Sequence, residues 1–176
     1  MMPERLESER LILQRLRYED ASELFYTYAS KEEATRYVSW PTHQTMRDTN
    51  DFLRYAVAAW KKGTDFSWSV RLKETGRLVG SIGVLPGDGK VQFGYTFGPA
   101  HWNKGYATEV VKLVLLEVKK MKGVYRIGTL VDVENVASAK VLLKCGLIEE
   151  ARLEKWMRFP NQNNQPKDCI LFKLPQ

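Results

Sequence analysis

Trp102-Asn103-Lys104-Gly105-Tyr106-Ala107-Thr108 decides how this chain is read, because a strand-like run, Val91 to Phe97, precedes it and a long amphipathic helix begins inside it. Ala107, Val110, Val111, Val114, Leu115 and Val118 recur at the spacing of one buried helical face, while Glu109, Lys112, Glu117, Lys119 and Lys120 fall elsewhere. A strand, a tight glycine turn and a helix together suit phosphate. The first amides of a helix have no internal partner, and the aligned peptide dipoles leave that end partly positive. At Gly105 and Ala107 the lack of bulk lets a diphosphate approach the main-chain nitrogens, and Lys104 adds a full charge beside them. Taken alone, Asn-Lys-Gly is equally well an ordinary polar turn.

Other phosphate motifs are absent. There is no G-x-x-x-x-G-K-[ST], and Gly87 and Gly89 are followed by Gln92 where a G-x-G-x-x-G would need its third glycine. These absences argue against a P-loop nucleotide triphosphatase and a Rossmann dehydrogenase.

The run resembles the acyl-CoA pyrophosphate loop of the GNAT superfamily of N-acetyltransferases, R/Q-x-x-G-x-G/A, with Gly105 and Ala107 on its glycine and small-residue positions. Trp102 stands at the R/Q position. The run resembles instead the W-G-K-G-Y-A-T-E variant of the RimJ/RimL-like branch, related to the ribosomal-protein N-terminal acetyltransferases, with Asn103 in place of that variant's first glycine. Leu6-Glu7-Ser8-Glu9-Arg10-Leu11-Ile12-Leu13 is similar to the branch's opening strand. Asn135-Val136-Ala137-Ser138 and Lys144-Cys145-Gly146-Leu147 are similar to its N-x-x-S and K-x-G-F segment. The pieces occur in the family's order and span nearly the whole chain.

The resemblance implies an α/β (α+β) GNAT-like fold, a single domain over residues 1–176 whose two central parallel strands splay apart to admit the pantetheine arm. It implies acetyl-CoA as the acetyl donor. Trp102, Asn103, Lys104, Gly105, Tyr106, Ala107 and Thr108 would surround its diphosphate, with Asn135 and Lys144 also in contact. Free backbone groups of Tyr95, Thr96 and Phe97 would bond the arm as a missing strand would. Ser138, with Asn135 beside it, would face the sulfur. Tyr37, Trp40 and His43 lie in the segment that borders the acceptor groove in this branch, and Trp68 would add an aromatic wall.

Strand signals fall at Arg10 to Leu16, Phe66 to Lys73, Leu78 to Val84, Lys90 to Phe97, Tyr125 to Val131, Glu149 to Trp156 and Asp168 to Leu174. They predict a mixed, mostly antiparallel sheet of seven strands. Glu74-Thr75-Gly76-Arg77 and Pro86-Gly87-Asp88-Gly89 favour hairpins, whereas the helix after Gly105 makes its flanking strands a parallel β-α-β unit. About four helices are expected: one near Asp20 with Glu23 as in a capping box, one from Thr45 to before Gly63, the helix after Gly105, and one from Asn135 to Lys144.

Moving an acetyl group from a thioester to an amine needs a neutral amine, a polarised carbonyl and a proton for the departing thiolate. It needs no protein nucleophile. The chain has no G-x-S-x-G elbow, and nothing in sequence couples Cys145 or Cys169 to a histidine, so direct attack by the amine is the simpler route. Other superfamily members use a tyrosine four residues before the closing glycine; here that position is Leu142, which turns attention to Ser138. Asn135 and Ser138 are equally well spaced as the N-cap and N3 residues of a helix. No general base stands out; the candidate acids for the cleft are Glu150, Glu154 and Asp168. A sparsely equipped site favours amines of low pKa: an N-terminal amine at about 8 is partly neutral near pH 7, whereas a lysine at about 10.4 is not.

Composition bounds the rest. With 176 residues, 44% hydrophobic and 27% charged, the chain suits one compact enzyme domain. No apolar run reaches the roughly 18 residues of a membrane span, and the charged Met1 to Arg10 segment does not read as a signal peptide, so the expected address is the cytosol. Two cysteines without a C-x-x-C read as reduced, and the two histidines, His43 and His101, read as loop residues with no metal spacing around them. A net charge of +6 suits an anionic ligand such as the CoA phosphates. It also keeps an RNA-binding module in view, although no RNA-recognition signature or basic stripe is present. The different-class alternative is a non-catalytic acyl-CoA-binding regulator. The partner expected is an amine-bearing acceptor, a protein N-terminus or a small molecule, with monomer and homodimer both open.

Overall fold

The computed structural model describes residues 1–176. Eight strands are present: β1 (Arg5–Glu7), β2 (Leu11–Arg15), β3 (Phe66–Leu72), β4 (Leu78–Gly87), β5 (Lys90–Phe97), β6 (Arg126–Asp132), β7 (Ile148–Phe159) and β8 (Gln165–Lys173). They form one sheet in the order β1-β2-β3-β4-β5-β6-β8-β7. The expected seven become eight because β1 is only three residues long, too short to show alternation, and exists through its pairing with β2. Every neighbouring pair is antiparallel except β5 with β6.

Five helices accompany the sheet: α1 (Ala21–Leu24), α2 (Glu32–Thr35), α3 (Met46–Lys62), α4 (Tyr106–Val118) and α5 (Val136–Lys144). The region expected to begin at Asp20 starts earlier. Asp20 is the third residue of a 3-10 turn and takes the Arg17 amide at 2.9 Å. Glu23 instead binds the Arg71 guanidinium at 2.9 Å, so the Asp20–Glu23 spacing is not a capping box. After α1 the chain widens into a π-helical turn, Phe25–Ala29. The short α2 carried too few apolar positions to show a period.

α3 keeps its expected limits for local reasons. The Asp48 carboxylate takes the amides of Gln44 and Thr45 at 2.8 and 3.2 Å, and Gly63 ends the helix at φ 73°. The β4–β5 hairpin closes on Asp88-Gly89, both at positive φ, 49° and 71°, the conformation that suits a two-residue turn between twisted strands.

Val110, Val111, Val114, Leu115 and Val118 of α4 are buried against a core that includes Val91, Phe93, Ile127 and Phe172. Each such side chain contributes about 1.5–3 kcal/mol by leaving water. A second cluster of Leu16, Leu24, Tyr28, Leu53, Ala56 and Leu78 lies where α1 and α3 pack on the sheet. The parallel junction of β5 and β6 lies near the middle of the strand order, with Val91 and Ile127 in the core and Lys90 and Gln92 exposed on the opposite face. No helix is long and apolar enough to cross a membrane.

Candidate active site

β5 and β6 pair at only three positions, Lys90 with Arg126, Val91 with Ile127 and Gln92 with Gly128. Beyond them β6 continues beside β8, from Gly128 to Asp132, while β5 stays with β4 out to Phe97. The two parallel strands therefore separate. Strand alternation turns the peptide groups of Phe93, Tyr95 and Phe97 toward the gap and those of Gly94 and Thr96 toward β4. Thr129 Oγ1 donates to the Phe93 carbonyl at 2.8 Å, and the Trp102 indole donates to the Phe97 carbonyl at 2.9 Å. Tyr95 is left facing the opening between them. The expectation that Tyr95, Thr96 and Phe97 all present free backbone is thus corrected in part: Thr96 faces β4 and the Phe97 carbonyl is taken, while Tyr95 and the Phe97 N–H still face the opening.

At one end of this opening stands α4. Gly105 is its N-cap at φ 78°, and Asn103 before it is also left-handed at φ 59°. Intrahelical bonding begins with the Glu109 amide on the Gly105 carbonyl at 3.1 Å, so the amides of Tyr106, Ala107 and Thr108 have no protein partner. A Cβ on Gly105 would lie 3.3 Å from Arg10 Nη2, in a backbone region that L residues avoid. A cradle of free amides with its glycine held this tightly fits a diphosphate. Trp102, which resemblance put among the phosphate contacts, commits its indole N–H to the protein instead, and Lys104 lies exposed beside the amides.

Sequence reasoning missed what supports this loop. Glu109, in the first turn of α4, accepts from Ser8 Oγ at 2.6 Å, from the Arg10 amide at 2.9 Å and from Arg10 Nε at 2.7 Å. Arg10 also donates to the Lys104 carbonyl at 2.8 Å and lies 4.7 Å over the Tyr106 ring. Burial raises the Glu109 carboxyl pKa, but these hydrogen bonds outweigh it, and the net shift is downward. The turn between β1 and β2 therefore braces the loop from about a hundred residues away in sequence, a separation no local pattern reveals.

α5 also borders the opening. Asn135 caps it through its side chain, which accepts the Ser138 amide at 3.3 Å. The Ser138 hydroxyl is 2.8 Å from the Tyr95 hydroxyl, so the serine and the β5 tyrosine meet across the splay. Burial pushes the Tyr95 phenol up to about 12. Lys144 is exposed in the last turn of α5, where its neighbour Cys145 touches the Thr108 carbonyl at 3.6 Å, so that end of α5 lies beside the start of α4. Burial raises the Cys145 thiol, which keeps it protonated and unreactive near neutrality.

The acceptor-side residues separate. Tyr37 donates to the Glu134 carbonyl at 3.4 Å and so sits at the entry to α5. Trp40 packs on His43 at 5.1 Å, and His43 Nδ1 bonds Thr49 Oγ1 at 2.7 Å, its pKa lowered by burial. Asn161 fastens this segment: it donates to the carbonyls of Thr35 and Trp40 at 2.7 and 2.9 Å and accepts the Thr42 amide at 3.0 Å. Gln162 bridges the Arg36 carbonyl and the buried Asp132 carboxylate at 3.2 and 2.9 Å.

Trp68 is not an acceptor wall. It is fully buried, stacks edge-on to Trp60 and donates its indole N–H to the Pro3 carbonyl at 3.0 Å, which makes it a core residue. His101 is likewise not a loop residue but a buried member of a 3-10 turn. Of the candidate acids, Glu150 is engaged by Arg126, and Asp168 accepts the Lys155 amide at 2.9 Å. Glu154 remains exposed. No group of acids, histidines or cysteines has the geometry of a metal site.

Comparison with known proteins agrees with this geometry. An uncharacterized N-acetyltransferase of Bacillus subtilis strain 168, YoaA, is 29% identical over 172 residues, covering 96% of this chain and 95% of its own. A GNAT-family acetyltransferase from Bacillus anthracis superposes with a TM-score of 0.84 at 26% identity, covering 97% of each chain. RimL, a ribosomal L7/L12 α-N-protein acetyltransferase solved with coenzyme A, shares the fold with a TM-score of 0.84 at 12% identity, over 98% of this chain and 96% of that one. Residues 10–148 match the acetyltransferase (GNAT) domain, a span that includes the splayed strands, the α4 cradle and the Ser138 hydroxyl, and the chain therefore belongs to the GNAT acetyltransferase family.

Proposed function

We propose that this acyltransferase moves the acetyl group of acetyl-CoA directly to a primary amine, on a protein or peptide N-terminus or on a small molecule, with no covalent enzyme intermediate. The observation that carries this is the alignment of three features along one opening: the free amides of Tyr106 to Thr108, the unpaired backbone of Tyr95, and the Ser138 hydroxyl.

Bound acetyl-CoA would supply an activated acetyl group. The amides of Tyr106, Ala107 and Thr108 hold its diphosphate, Lys104 and Lys144 add positive charge, and Tyr95 bonds the pantetheine arm through its main chain. Ser138 offers its hydroxyl to the sulfur as negative charge develops there. Asn135 fixes that serine by capping its helix. Tyr37 and the segment fastened by Asn161 border the acceptor side. No carboxylate is placed as a strong base, so the acceptor is an amine with an appreciable neutral fraction at working pH, an α-amine at about 8 rather than a lysine at about 10.4.

Thiol release from acetyl-CoA, measured against peptides with free N-termini, polyamines and aminoglycosides, tests this. Turnover is expected with at least one class. Ser138→Ala lowers kcat by about 10–100-fold, the worth of one hydrogen bond to developing charge, and spares CoA affinity. Unchanged turnover in that variant removes Ser138 from the mechanism, and intact CoA binding without thiol release for any acceptor makes the protein a non-catalytic binder.

A further inference from the structure

The Ser138 hydroxyl has one protein partner, the Tyr95 hydroxyl at 2.8 Å. A serine near the start of a helix commonly turns its hydroxyl back onto a main-chain carbonyl. Ser138 does not; it is drawn instead to a tyrosine on a different element. Leu142, one turn further along α5, is buried and supplies no hydroxyl, so the phenol nearest Ser138 comes from β5.

We propose that Tyr95 is a positioning residue for acetyl transfer, donating its phenolic proton to Ser138 Oγ so that the serine's own proton is directed at the thioester sulfur. This rests on the acetyltransferase function proposed above and adds to it a second hydroxyl acting through the first.

The direction of the bond follows from chemistry. A phenol is a stronger acid than an alkanol, and its oxygen is the poorer acceptor, so in the neutral pair the tyrosine donates. Burial raises the Tyr95 phenol to about 12, which keeps that proton in place throughout the physiological range. With its oxygen accepting from Tyr95, Ser138 has its single O–H left to give, and the sulfur is where it is needed. Without Tyr95 the serine rotor is free to turn away.

During transfer the amine nitrogen forms a bond to the acetyl carbon, the carbon–sulfur bond breaks and its electron pair stays on sulfur. The nitrogen loses one proton and the thiolate gains one through solvent exchange. Tyr95 and Ser138 end the turnover with the protons they began with, as a hydrogen-bond chain and not as a consumed acid.

The experiment compares Tyr95→Phe, Ser138→Ala and the double variant with the wild type, using an acceptor from the panel above. Calorimetric affinity for CoA and a 13Cζ-tyrosine NMR titration are measured on the same proteins. The expected result is a kcat lower by about tenfold or more in Tyr95→Phe, with KM for acetyl-CoA and CoA affinity within about twofold of the wild type. The double variant is no slower than Ser138→Ala, because both act through one bond. Ser138→Ala moves the Tyr95 ionisation in the NMR titration, which reports the contact without turnover.

A Tyr95→Phe enzyme with wild-type kcat overturns the role of Tyr95 and leaves the acetyltransferase function standing. Losses that multiply in the double variant, or a Tyr95→Phe protein that loses CoA affinity together with turnover, overturn it in favour of packing. A wild type that binds CoA but releases no thiol with any acceptor overturns both.

Discussion

Arg10 Nε lies 2.7 Å from Glu109 Oε2, and this ion pair joins the β1–β2 turn to the first turn of α4. Glu109 is four residues beyond the N-cap Gly105, close enough for its partners to hold the amide cradle open.

Glu109→Ala removes the hydrogen bonds that the Ser8 hydroxyl, the Arg10 amide and the Arg10 guanidinium give to its carboxylate, at a cost of about 1–3 kcal/mol. For a chain of this length each kcal/mol lowers Tm by roughly 2–4 °C, and CoA affinity is expected to weaken by about tenfold beyond that. The acid side of the stability curve carries the same signature. Because hydrogen bonding lowers the folded-state pKa of Glu109 below 4.5, its contribution is present above that value and is lost as pH falls through the lower folded value. Wild type and Glu109→Gln stability curves that stay parallel down through that window would contradict it.

Gly105→Val forces a β-branched residue to φ 78° and places its Cβ against Arg10. The backbone strain alone is about 1–2 kcal/mol, enough to move Gly105 out of the left-handed region and rotate the amides. Calorimetry is expected to show CoA binding weakened by more than about tenfold, and an unaltered dissociation constant would remove the loop from cofactor recognition.

Asn161→Ala removes three hydrogen bonds to the 35–42 segment at once. It is expected to raise KM for the acceptor by about fivefold or more, with KM for acetyl-CoA unchanged, because the loss falls on one side of the cleft. A rise confined to acetyl-CoA would reassign the segment.

Trp68→Ala leaves a cavity beside Trp60 at a fully buried position and is expected to cost about 3–5 kcal/mol, a fall in Tm of roughly 10 °C. At temperatures where the variant stays folded, its acceptor preference is that of the wild type. A changed preference with an unchanged Tm would return Trp68 to the acceptor groove.

Tyr28 and Tyr95 set the alkaline limit. Burial raises both phenols from 10.0 to about 12, while the hydroxyls of Ser81 and Ser138 pull the other way. Groups raised in the folded state contribute fully below pH 10 and lose that contribution as pH rises toward 12. Absorbance at 295 nm should show Tyr28 and Tyr95 ionising last, with stability falling over the same interval. All eight tyrosines ionising together near pH 10 while the protein stays folded would refute it.

The sequence by itself determined the elements whose periods are long. α4 follows from apolar spacing, α3 from its end signals at Thr45 and Gly63, the β4–β5 hairpin from Pro86-Gly87-Asp88-Gly89, and the strand before α4 marks the cradle at Gly105. Each is a property of neighbouring residues. The short β1 and α2 lacked the length to show a pattern, and Trp68 looked like a groove aromatic because burial is not written in residue type.

Only the tertiary structure decided which side chains meet. The partners of Glu109 lie about a hundred residues away, those of Asn161 about 120, and Tyr95 reaches Ser138 across the gap where β5 and β6 part. Hydrogen bonds are short and directional, so their existence depends on how the sheet and its two connecting helices settle together. Local periodicity fixes the elements; the register of β5 against β6, three pairs long, fixes the site.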